Sequence, residues 1–181
     1  MDCAITLPPI SESLQRLAAY ARTASRRRGL TEGEIADDLV DAIESAGGGG
    51  SAAVLPFLEA VIAAFGPQAG PVQVECDPGL TLPLDELAPL GIATAEAVAN
   101  ALAYAFPAGR EGKIWVRVKE AEGRITLAVR DNGIGLVDLP PDPASGRGLV
   151  AALAHRLEGY ARMGSAPFGG GLLTVVYPRR R

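Results

Sequence analysis

Two side chains four residues apart, Glu96 and Asn100, stand on a stretch that is otherwise small and mostly apolar, Thr94-Ala95-Glu96-Ala97-Val98-Ala99-Asn100-Ala101. At helical pitch, residues four apart project from one face. The amide oxygen of Asn100 suits a hard cation such as Mg²⁺, which takes oxygen ligands and keeps several waters. The carboxylate of Glu96 suits the orientation or deprotonation of a water or hydroxyl beside a phosphate. Further on comes Asp131-Asn132-Gly133-Ile134-Gly135. A carboxylate there can accept from the amino group of adenine, and Gly133 and Gly135 let backbone pass close to a base. A third motif, Gly146-Arg147-Gly148-Leu149, opens a helix whose free N–H groups make a phosphate site.

Each motif alone also has a plainer reading. Glu96 and Asn100 fit a solvated Glu and a helix-end Asn. Asp-Asn-Gly is rich turn chemistry without any ligand. Gly146–Leu149 fits a surface loop running into a helix. Their conjunction, in one order and at spacings that suit helix, hairpin, loop and helix, is what points to a pocket for a purine, Mg²⁺ and a polyphosphate.

The elements that must position these residues follow from periodicity. Leu87 to Ala105 reads as a helix. Lys113–Lys119 and Arg124–Arg130 alternate with period two around Glu122-Gly123, which predicts an antiparallel hairpin. Gly148 to Glu158 is helical, Val72–Cys76 and Leu172–Tyr177 are strands, and Val137 to Ser145 is a proline-rich flap. Gly169-Gly170-Gly171 either brings backbone to the base or is a tight turn. The fold class expected is α+β, with helices on one face of a mainly antiparallel sheet in a two-layer α/β sandwich. Ahead of it, Ile10–Ala21 and Ile35–Ile43 carry apolar stripes at helical spacing, and Thr31 with Glu34 forms a capping box. An antiparallel helical hairpin results, and its stripe needs a partner surface; pairing with a second copy makes a homodimer through the N-terminal helices. After the flexible Gly47–Ser51 comes a third helix, Ser51 to about Phe65, with Pro56 in its first turn. The division expected is a helical, dimerisation-like unit over 1–66 and a nucleotide-binding domain over 67–181.

Composition narrows the function classes. Nearly half of the 181 residues are hydrophobic, enough for a real core, and a net charge of -4 argues against nucleic acid as a partner. Cys3 and Cys76 have no metal-ligand spacing. No signal pattern and no apolar run of membrane-spanning length is present, which predicts a cytoplasmic protein. The single histidine, His155, falls off the apolar stripe of its helix and reads as solvent-facing; Lys113 and Trp115 read as packing and solubility.

The region from about Val72 to Pro178 resembles the Bergerat-type ATPase domain shared by histidine kinases, gyrase and MutL proteins, and heat-shock chaperones. Asn100 with Glu96 matches the family's N box; Asp131, Gly133 and Gly135 match the G1 box; Gly146, Gly148 and Leu149 match the G2 box. Leu84-Asp85, Pro89-Leu90-Gly91, Asn100-Ala101-Leu102, Ala105-Phe106-Pro107 and Gly112-Lys113-Ile114 are similar to the HWE-like group of bacterial sensor histidine kinases. The resemblance implies ATP and Mg²⁺ as cofactors, Glu96 as the catalytic residue and Asn100 as the Mg²⁺ ligand. It also implies Asn100, Asp131, Gly133, Gly135, Gly146 and Gly148 as nucleotide-binding residues. In that group the helix hairpin dimerises and carries the phosphoacceptor histidine near its start. Here Ile10–Gln15 contains no His, Tyr104 stands where the N box is usually basic or histidine, and Leu172 replaces the small hydroxyl residue after the last glycines. The implied function is an ATP-binding, histidine-kinase-like signalling protein without its own acceptor, acting on a two-component partner such as a response-regulator receiver domain. A non-catalytic dimeric adaptor, and an anti-sigma-factor serine kinase with its Glu-three residues-Asn-Ala N box, are the alternatives.

Overall fold

The computed structural model describes residues 50–63, 65, 67, 72–135 and 147–180. The helical hairpin expected over 10–46, the flap at 137–145 and Gly146 lie outside the described residues. Within them, β1 (Ser51–Ala53) pairs antiparallel with β3 (Thr81–Pro83) in a small sheet. The main sheet takes β2 (Val72–Cys76), β4 (Ile114–Ala121), β5 (Arg124–Asp131), β6 (Tyr160–Ser165) and β7 (Gly171–Pro178) in the order β2-β4-β5-β7-β6. Strand β2 lies parallel to β4; the other pairs are antiparallel. The β4–β5 turn falls at Glu122-Gly123, both with positive φ (53° and 69°), the backbone that a two-residue hairpin turn demands.

Alternation decides which side chains meet the helices. Ile114, Val116 and Val118 of β4, Ile125, Leu127 and Val129 of β5, and Leu173, Val175 and Tyr177 of β7 are all buried. The same parity carries Asp131, the last residue of β5, onto this helix-facing side, where it too is buried. Three helices cover that face: α1 (Val54–Ala63), α2 (Leu84–Asn100) and α3 (Arg147–Arg156). The fold is thus the mixed α+β sandwich expected.

Helix α2 runs through the middle of the molecule, packed against α1 and α3. Every residue from Leu84 to Val98 except Asp85 is buried. Pro83 precedes it and Asp85 and Glu86 occupy its first turn, a favourable place for negative charge; the helix therefore starts three residues before the apolar periodicity does. It continues as a π-helical turn over Ala101–Ala105. The span Leu84–Ala105 is apolar enough to cross a membrane, but most of it is buried inside the protein, which marks it as a core helix.

The N-terminal side differs from the sequence expectation. Ser51–Ala53 is extended, and the helix begins at Val54. Val54, Phe57, Leu58 and Val61 join the same core as α2 and the sheet. This helix, grouped with the N-terminal unit on sequence, is packed into the sandwich. Strands β1, β3 and β6 were not legible: β1 and β3 have three residues each, and β6 is an edge strand that turns only Ala161 and Met163 toward the core, too short an alternation to read.

One buried acid stands at the start of α2. Glu86 is fully buried, and neither carboxyl oxygen has a hydrogen-bond partner among the described residues. The Tyr177 hydroxyl lies beside it but outside hydrogen-bond geometry. Burial pushes the Glu86 carboxyl above the usual carboxylate range; Tyr177, Arg179 and Arg180 offset this only in part. The folded protein therefore favours the neutral acid. That contribution to stability is present below the unfolded-state pKa and is lost as pH rises through the folded-state one. Glu86→Gln removes the charge that burial disfavours, so it is expected to exceed wild type in stability in alkaline buffer, where Glu86 must ionise. No gain is expected in acid; thermal melts across pH check both.

Candidate functional site

The site is built where the end of α2 meets the end of β5. The Ile134 N–H donates to the Ala105 carbonyl at 3.0 Å. A Cβ at Gly133 would overlap that carbonyl oxygen, so only glycine fits this close approach. Gly135 follows with φ +83°. The glycine corner is thus pressed onto the π-helical turn that directly follows Asn100. π-turns interrupt helices preferentially at functional sites.

Asp131 forms the floor of this corner. Its Oδ1 accepts from the Gly133 N–H at 2.8 Å. Its Oδ2 has no hydrogen bond among the described residues and faces Gly171, where a Cβ would stand 2.7 Å away. At Gly170 a Cβ would overlap the Asp131 carbonyl oxygen. The last glycine run is thus a tight turn into β7, as one of its two sequence readings has it, and it packs backbone-first against Asp131. Asn132 ties the corner to β4: its N–H donates to the Lys113 carbonyl at 3.2 Å, and its Oδ1 accepts the Lys113 N–H at 2.7 Å. Arg110 Nη2 donates to the Asn132 carbonyl at 3.4 Å.

Glu96 is only 7% exposed and forms no hydrogen bond among the described residues. Burial pushes its carboxyl up to about 7, which lets it give and take a proton near neutrality. Asn100, one turn on, is half-buried and has a polar partner of its own. Gly148 is the second residue of α3, which lies against α2, β6 and β7. His155 is exposed on that helix, as its position off the apolar stripe predicted.

The chemistry of this donor set fits an adenine nucleotide. A carboxylate anchored through one oxygen keeps the other as an acceptor for an amino group, and Gly133, Gly170 and Gly171 let backbone close in where a Cβ would overlap protein atoms. The profile of the histidine kinase-like ATPase domain matches residues 58–162. The chain belongs to the histidine kinase-like ATPase domain family. That match begins within α1, in agreement with the packing of this helix into the sandwich. The chain is 29% identical over 84 residues to an anti-sigma F factor of Clostridium botulinum, covering 46% of this chain and 51% of the relative. It is 32% identical over 56 residues to the anti-sigma F factor of Bacillus subtilis, covering 31% and 38%. It thus spans about half or less of these relatives' length. Among solved structures it is similar to the histidine kinase domain of the Erythrobacter litoralis EL346 blue-light activated histidine kinase. There the TM-score is 0.59 at 17% identity, over 93% of this chain and 94% of that one. The kinase domain of the Escherichia coli osmosensor EnvZ gives a TM-score of 0.54 at 20% identity, over 72% and 89%.

For this histidine kinase-like ATPase domain, the structure brings Asp131, Gly133 and Gly135 to the end of the helix bearing Glu96 and Asn100. Gly148 stands at the start of α3; Gly146 is outside the described residues. Four contributors had weaker signals. Ala105 offers only a backbone carbonyl, invisible to residue type. Lys113, read as packing and solubility, contributes its main chain. Gly170 and Gly171 were visible as glycines, but their neighbour across the sheet was not. Gly133→Ala is expected to destabilise the domain by about 1–3 kcal/mol, the usual range for forced overpacking, and to weaken nucleotide binding with it. Urea melts and nucleotide titration of the one variant check both effects.

Proposed function

We propose that this chain is an ATP-binding signalling protein that acts in trans, on a protein partner rather than on itself. The observation that carries the reading is the buried Asp131 carboxylate, held by the Gly133 N–H, with its second oxygen bare against Gly171. Asp131 would recognise the amino group of adenine, with Gly133, Gly135, Gly170 and Gly171 supplying the backbone walls. The amide oxygen of Asn100 would hold Mg²⁺, and the start of α3 at Gly148, with Gly146 before it, would receive the phosphates. Bound Mg²⁺–ATP supplies the phosphoryl group and neutralises its charge. Glu96, buried and titrating at about 7, would accept the proton of the attacking hydroxyl or water.

The acceptor would lie on another protein, because Ile10–Gln15, where the resemblance expects it, holds no His and the chain's one histidine, His155, stands instead on α3. The likeness over 93% of the chain to the EL346 histidine kinase domain supports the kinase-like fold; a homodimer through the N-terminal helices and a response-regulator receiver domain as partner complete this reading. A second reading is favoured by the curated relatives, all anti-sigma F factors: a kinase or binder in a sigma-factor circuit. A non-catalytic adaptor on the same scaffold would bind the partner without transfer. Incubation with radiolabelled ATP, Mg²⁺ and purified candidate partners separates these. Acid-labile label on a receiver supports the first reading, acid-stable label on a sigma-circuit protein the second, and no label on any tested partner despite nucleotide binding favours the adaptor.

A further inference from the structure

The turn between β6 and β7 holds an unfavourable backbone next to the site. Phe168, Gly169 and Gly170 have φ of 71°, 95° and 86° in succession. For Phe168, which is not a glycine, such a conformation is strained. Its ring is fully exposed, so packing of that side chain does not hold the turn. Two bonds close the turn on itself, Ala166 N–H to the Gly170 carbonyl at 2.8 Å and Gly169 N–H to the Ala166 carbonyl at 3.2 Å. The Gly170 backbone at its end rests on Asp131.

A side chain from a different strand reaches this turn. Trp115, Arg130 and Leu172 lie in register across β4, β5 and β7, on the face opposite the helices. The Arg130 guanidinium stands over the Trp115 ring, 5.7 Å from its centroid, within cation–π range. Its Nη2 donates to the Pro167 carbonyl at 3.2 Å, while its Nε stays buried without a partner among the described residues. The guanidinium gives up one donor to span from the tryptophan to the turn.

We propose that Arg130, braced by Trp115, is a positioning residue that fixes the 167–170 turn and so the backbone wall against Asp131. It acts from the outer face of the sheet and does not touch the nucleotide. The effect on ligand affinity rests on the nucleotide reading above; the hold on the turn does not.

The experiment uses Arg130→Ala and Arg130→Lys in the full chain. Trp115 is the single tryptophan, so its emission reports directly on the brace. Arg130→Ala is expected to red-shift that emission and to speed amide exchange at Ala166 and Gly169 at least tenfold in the absence of nucleotide. Exchange within β4 should stay unchanged, and fluorescent ATP should bind about tenfold more weakly. Arg130→Lys, which keeps a donor, is expected to fall between. Unchanged exchange at Ala166 and Gly169 in Arg130→Ala overturns the brace. Faster exchange there with unaltered affinity, in a protein whose wild type binds ATP, overturns its role at the site. If the wild type binds no ATP, the nucleotide reading fails while the exchange data still decide the brace. Should Arg130→Ala not fold, Trp115→Leu tests the same brace by the same amide exchange, with the same outcome expected and the same one overturning it.

Discussion

Asp131→Asn is expected to weaken Mg²⁺–ATP binding by about 10- to 100-fold, the scale of one charge-assisted hydrogen bond of about 1.5–3 kcal/mol. The substitution is nearly isosteric. An amide oxygen can still accept from the Gly133 N–H, so the corner keeps its shape. What changes is the atom facing Gly171, where a charged acceptor can become an amide donor. An adenine amino group then meets another donor. Competition titrations with ATP and GTP read the effect: wild type should prefer ATP, and the variant should lose that preference. Equal losses for both nucleotides would assign Asp131 a structural role.

Glu96→Gln carries the second large effect. General-base catalysis contributes about 10²- to 10⁴-fold, so phosphoryl transfer or hydrolysis should drop by that range while ATP affinity stays close to wild type. The carboxyl must be ionised to take a proton, and burial holds its pKa at about 7. The wild-type rate should therefore climb with pH through about 7 and level off above it. The variant should lose this limb. Single-turnover rates across pH separate this from a binding defect, because a loss confined to affinity would leave the limb in place.

Sequence and structure agree best where the physics is local. The β4–β5 hairpin was legible because six apolar residues alternate on both sides of Glu122-Gly123, and that alternation also carried Asp131 onto the helix side. Glu96 and Asn100 were legible as one face of one helix. The burial of Glu96 was not, because it needs α1 and α3 packed around α2, and helical spacing says nothing of that. Likewise the end of β5 and the start of β7 lie about forty residues apart in the chain, so nothing local says that Gly170 and Gly171 abut Asp131. The start of α1 was misplaced because Ser51–Ala53 takes its extended form from pairing with β3, a partner thirty residues away. Arg130 was passed over for the same reason, since its partners Trp115 and Pro167 come from two other segments.

Equilibrium titration of the wild-type chain with fluorescent ATP and Mg²⁺, beside Asn100→Ala and Asp131→Ala, probes the proposed nucleotide site most directly. Saturable micromolar binding, one nucleotide per chain and lost in both variants, is the result predicted. An absence of binding at millimolar ATP, or binding untouched by either substitution, would contradict it.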